Sequence, residues 1–107
     1  MDSYQADAVW AALSDGTRRA IVRRLLGGPL PVGELACQLP VSRPAVSQHL
    51  KVLKAAGLVC DRAVGTRRIY YLDAAGFDAL RADLDRFWAQ ALAGFEQLTR
   101  QDEGDEP

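Results

Sequence analysis

Residues 42–59 read SRPAVSQHLKVLKAAGLV. Ser42 offers a side-chain oxygen where a helix would start, and Pro44 is tolerated in a first turn. Val46, Leu50 and Leu53 recur at i, i+4 and i+7, the stripe that one helix face buries. Gly57 closes the segment as a left-handed cap. The spacing predicts a helix over 43–56. Arg43, Pro44, Ser47, Gln48, Lys51 and Lys54 share its outward surface. An apolar back with a small, polar and cationic front suits the major groove of double-stranded DNA. Arg43 can donate to a guanine edge or a phosphate, and Gln48 can pair with an adenine edge. Ser47 suits a base or a phosphate, whereas Lys51 and Lys54 suit backbone charge. The helix start at Ser42 attracts phosphate.

Working outward, helices are expected over 5–13, 16–27 and 32–39. Asp15 caps the second, whose inward face holds Ile21, Val22, Leu25 and Leu26, and Gly27-Gly28-Pro29 ends it. Pro40 stops the third. After Gly57 the period changes to two, and 58–62 and 68–72 read as strands. Gly65-Thr66 falls between them as a hairpin tip. Arg62, Arg67 and Arg68 flank that tip, and with Thr66 they form a cationic loop suited to a backbone or a minor groove. Asp73 caps a last helix over 74–99. Residues 101–107 read as an acidic, flexible tail beyond a single domain of 1–100. The fold class is mainly α with a small β-hairpin, in the order α-α-α-α-β-β-α: a helix-turn-helix with a wing.

The stretch GELA (33–36), the run VSRPAVSQHLKVLKAAGLV (41–59), the upstream ALSDGTRRAI (12–21) and the downstream GTRRIYYL (65–72) resemble the ArsR/SmtB family of winged-helix repressors. The resemblance covers roughly residues 8–95. It implies a cytoplasmic homodimer that blocks transcription from its operator and is modulated by a signal. Many members sense metals, through Cys-x-Cys before the third helix or through Asp-x-His on the last. Here the first set of positions holds Pro31, Gly33 and Ala36, and the second reads Asp83-Leu84-Asp85 with no later His. Borderline transition metals need converging imidazoles or thiolates. The chain has one His, so no metal site of these kinds and no cofactor is expected.

Net charge is −1 over 107 residues, which by itself argues against a nucleic-acid partner. The distribution reverses that argument: residues 1–72 carry +5 and residues 73–107 carry −6. Within 43–68, six basic residues stand against Asp61 alone. No apolar run reaches membrane-span length, and the acidic start MDSYQADAVW is unlike a secretory leader. Catalysis is not expected, because no nucleophile–base–orienter set is present. A winged helix serving as a protein-interaction module, without specific DNA binding, is the alternative from another class.

A single reader helix covers too few base pairs to find one site in a genome, so two copies are needed. Phe77, Leu84, Ala91 and Leu98 recur every seven residues, Leu80, Phe87 and Gly94 form a companion stripe, and Trp88, Leu92 and Phe95 widen it. Part of this surface is expected to cover the domain and the rest to meet a two-fold mate, joined by Val9, Trp10 and Leu13. Arg18, Arg19, Arg23 and Arg24 read as a solvated helix face, with DNA backbone contact as the other reading. His49 reads as structural, bonded to a backbone group, or as a phosphate contact. Cys37 and Cys60 read as small, reduced core residues, and an oxidisable switch is the other reading.

Overall fold

The computed structural model describes the backbone of residues 2–105 and the side chains of residues 4–100. Five helices and three strands follow in the order α1 (Asp2–Leu13), α2 (Gly16–Leu25), β1 (Leu30–Pro31), α3 (Val32–Cys37), α4 (Arg43–Ala55), β2 (Val59–Val64), β3 (Arg67–Leu72) and α5 (Ala74–Asp105). The fold is a winged helix-turn-helix, with one strand more than the sequence announces. β1 pairs antiparallel with β3, Leu30 opposite Tyr70 and Pro31 opposite Ile69, giving the sheet order β1-β3-β2. A strand of one leucine and one proline carries no periodicity, so its pairing is invisible until β3 lies beside it.

Local chemistry sets most element boundaries. The Asp15 carboxylate accepts from the Arg18 backbone N–H at 3.0 Å, and this bond holds its pKa below the usual carboxylate range. Ser42 Oγ accepts from Ala45 N at 3.2 Å, and Asp73 Oδ1 from Ala75 N at 3.0 Å. Each bond satisfies one of the donors that a helix start leaves open. Gly57 has φ +80° and ends α4 as expected. Gly65 has φ +62° and Thr66 is not in positive-φ space, the pattern of a two-residue type II′ turn joining Val64 to Arg67.

The core sits between α2, α4 and the base of the hairpin. Ile21, Leu35, Leu50, Leu53, Leu58, Val46 and Val59 are fully buried there, with Val9 and Ala12 from α1. The predicted stripe of α4 is therefore the central support of its outward face. At about 1.5–3 kcal/mol per buried aliphatic side chain, that stripe fixes the helix firmly. α5 supplies Phe77 and Leu80 to the edge of the core. Residues 84–100 are all exposed, and the molecule is 74 Å in its longest dimension. A 32-residue helix is about 48 Å long, so its far half stands clear of the rest. It also runs past the expected end at 99. The acidic-tail expectation for 101–107 concerns side chains outside the described residues.

Some expectations change. Leu26, expected on the inward face of α2, is 69% exposed. Arg19, Arg23 and Arg24 are exposed, as a solvated face should be, but Arg18 is half-buried: its Nε donates to Ala12 O at 2.6 Å, while Arg19 Nη1 donates to Leu13 O at 2.7 Å. α1 has no basic residue in its own last turn, so α2 supplies the cations its carbonyls attract. Arg18 Nη1 also lies 3.4 Å from His49 Nδ1. A guanidinium only donates, so Nδ1 is the acceptor, and His49 is structural through a side chain instead of a backbone group. Cys37 is exposed, not core. Cys60 is half-buried, and its thiol donates to Asp73 Oδ2 at 3.2 Å. That bond pushes the thiol pKa up and, after the Ala75 N–H, helps to hold the Asp73 carboxyl down.

Candidate nucleic-acid interface

α4 presents the predicted outward face. Ser42, Arg43, Pro44, Gln48, Lys51 and Lys54 are exposed and Ser47 is half-buried, while the opposite face is packed in the core. Ser42 Oγ is engaged as the cap acceptor, which leaves its hydroxyl hydrogen as the donor for an anion. Arg43 reaches back over α3, its Nη1 3.8 Å from the position a Cβ would take on Gly33.

The wing closes the other side. Gly33, Glu34, Cys37, Arg43, Thr66, Arg67 and Arg68 line an open cleft of about 580 Å³ between α3, the start of α4 and the hairpin tip. Three arginines and one acid, Glu34, line it, and arginine is the side chain that binds phosphate by paired hydrogen bonds. Arg67 Nη2 is 3.3 Å from Glu34 Oε1, an exposed pair that a competing phosphate can replace at little cost.

The hairpin register divides the wing cations. Asp61 lies opposite Tyr70 and Ala63 opposite Arg68, so Asp61 and Arg68 share one face. Arg62 lies opposite Ile69 and Val64 opposite Arg67, which puts Arg62 and Arg67 on the other face. Arg62 stacks 5.8 Å above the Tyr71 ring. Arg62, Arg67 and Arg68 are thus not one cluster. Thr66, Arg67 and Arg68 join Arg43 at the cleft, and Arg62 does not line it.

Asp61 is the residue the sequence reading undervalued. Its side chain is 10% exposed and binds Lys54 Nζ at 2.7 Å and Arg68 Nε at 3.3 Å. The hydrogen bond to Asp61 holds the Lys54 pKa above its ordinary value. Two cations assigned to DNA are therefore tied to each other, and the wing is tied to the last turn of α4. The available signal was a lone acid inside a run of six bases.

The described residues contain no group of three or more His, Cys, Asp or Glu placed to hold a metal. Asp83, in the stretch where the family resemblance would put Asp-x-His, accepts from Trp10 Nε1 at 2.8 Å and from Arg86 Nη2 at 2.9 Å. The Trp10 bond is the main cause of its lowered pKa. No helix among the described residues is long and apolar enough to cross a membrane.

The proposed association surface also sorts itself. Val9 is 0% exposed within its own chain, so it has no surface to offer a mate. Leu13 and Leu80 pack against the core. Trp10, Leu84, Phe87, Trp88, Ala91, Leu92 and Phe95 remain outward, and Leu98 joins them.

Comparison with known proteins decides the family. The sequence profile of the bacterial regulatory proteins of the arsR family matches residues 15–60. The chain is 66% identical over 107 residues to the HTH-type transcriptional regulator Rv2034 of Mycobacterium tuberculosis, covering 99% of both chains. The chain belongs to the ArsR family. This ArsR-family chain is a transcriptional regulator with a DNA-binding helix-turn-helix. It is 41% identical over 63 residues to the transcriptional repressor SdpR of Bacillus subtilis, covering 59% of this chain and 69% of SdpR. Its fold matches the solution structure of the homodimeric winged helix-turn-helix DNA-binding domain Mb0332 from Mycobacterium bovis. That match has a TM-score of 0.64 and 31% identity, and covers 90% of this chain and 83% of the other.

Proposed function

We propose that this ArsR-family chain binds a two-fold symmetric operator as a homodimer and represses transcription, its own promoter included. The observation that carries the reading is the outward face of α4, where Arg43, Gln48 and Lys51 stand exposed above a fully buried stripe. Gln48 reads a base edge, Arg43 reads a guanine or grips a phosphate, and Lys51 neutralises backbone charge. The cleft beside Arg43 takes a phosphate, and the Gly65-Thr66 tip lies along the flanking backbone. The exposed stripe of α5 supplies the mate's docking surface, in keeping with the homodimeric Mb0332 domain. Repression fits the likeness to SdpR.

Anisotropy titration against a promoter duplex and a scrambled duplex tests this. The promoter is expected to bind at least about a thousandfold tighter, with affinity falling steeply as salt rises. Equal binding to both duplexes would remove operator recognition and leave a protein-interaction module. Two substitutions divide the roles. Gln48→Ala is expected to relax preference at one base pair by about 1–3 kcal/mol. Lys51→Ala is expected to weaken both duplexes alike and to lower the salt slope by about 0.9. A uniform loss from both variants contradicts the division.

A further inference from the structure

The end of the reader helix is joined directly to the start of the association helix. Gly57 and Leu58 follow the last turn of α4. The Gly57 carbonyl accepts from Gly76 N at 2.7 Å, and the Leu58 carbonyl accepts from Asp73 N at 2.9 Å. Gly76 lies in the first turn of α5, where its N–H has no partner within its own helix. A carbonyl at the negative end of one helix thus meets an N–H at the positive end of another.

The joint depends on Gly76. A Cβ there would stand 2.6 Å from Gly57 O, 2.8 Å from Gly57 C and 3.0 Å from Leu58 Cδ2. The first two are backbone atoms, so the helices would have to separate. Glycine inside a helix is unfavourable relative to alanine. Its presence is explained by an approach that no side chain permits.

We propose that the Gly57–Gly76 joint sets the separation and tilt of the two reader helices in the dimer, and through them the half-site spacing the protein accepts. The proposal rests on the homodimer–operator reading above. Geometry gives the scale. Arg43 lies about 21 Å along α4 from Gly57. A tilt of about 5° at the joint moves Arg43 by about 2 Å, and two-fold symmetry doubles this to about 4 Å. One base-pair step is about 3.4 Å, so a small change at the joint shifts the register by about one base pair. Gly76 is a positioning residue and touches no DNA.

The test uses duplexes carrying the half-site that the wild-type protein selects from a randomised duplex library. Pairs of half-sites are set at the best spacing and at one and two base pairs either side, with a lone half-site as control. Wild type is expected to prefer one spacing by about tenfold or more. Gly76→Ala is expected to stay dimeric in sedimentation and to bind the lone half-site within about twofold of wild type. Its best spacing is expected to move by one base pair, or its preference to fall below about threefold. A spacing profile identical to wild type overturns the proposal, as does equal loss at every spacing and at the lone half-site. Wild-type indifference to spacing would instead overturn the operator reading beneath it. Should Gly76→Ala not fold, amide exchange of Gly76 in the wild-type complex decides. Exchange faster on a duplex mis-spaced by one base pair than on the best one supports the joint, and equal exchange overturns it.

Discussion

Replacing Phe87 and Trp88 together by glutamate is expected to leave a folded monomer whose operator affinity falls about 10²–10⁴-fold. The two side chains are 56% and 62% exposed in the single chain, and Phe95 is 59% exposed. None of them reaches the core, so the substitution removes no core contact and the circular-dichroism spectrum should be retained. Successive apolar positions from Leu84 to Leu98 fall on one side of α5, and a contiguous exposed apolar surface marks an interaction site. Glutamates there would be buried without partners on association, which forbids it. Once the mate is lost, the second half-site is no longer held at high local concentration, and the gain from linking two sites disappears. Sedimentation velocity and operator anisotropy measure both parts. A variant that remains dimeric would place the association surface elsewhere. The Trp10–Asp83 hydrogen bond holds α1 beside this stripe, so the exposed surface is built from two helices.

Asp61→Asn is expected to do the opposite to random DNA: tighten binding and steepen its salt dependence. In the wild-type protein Asp61 occupies both Lys54 and Arg68. The amide keeps the shape but loses the charge, which frees two cations on the DNA side. Each additional phosphate neutralised adds about 0.9 to the salt slope, so the slope should rise by about 2. Operator binding should gain less, because the wing is no longer held against the end of α4. The ratio of operator to random affinity is therefore expected to fall. Titrations of both duplexes at several salt concentrations give slope and ratio together. An unchanged slope on random DNA would mean that Asp61 does not withhold these cations.

The contrast between these two sites shows what the sequence could carry. Helix starts at Asp15, Ser42 and Asp73, the cap at Gly57 and the turn at Gly65 were legible because each is made by atoms within three residues of one another. The α4 stripe was legible because its period is the helix's own. Roles that depend on how two elements meet were not. Sequence alone does not show that Val9 lies in the core and not toward a mate, since the face of α1 that turns inward is set by α2 and α5. Arg18 and Arg19 cap a helix that precedes their own, an outcome of the angle between α1 and α2. The division of Arg62 from Arg68 did follow from a period of two, once the register of the hairpin was known.

The short strand β1 has one further effect. It forms an outer edge of the sheet, and prolines stand at positions 29 and 31, on either side of Leu30. A proline has no N–H, so this border offers almost no donors to an extended segment arriving from another molecule. Open-ended stacking through β1 is thus blocked by two pyrrolidine rings, and β2, at the opposite border, is the edge that keeps its donors.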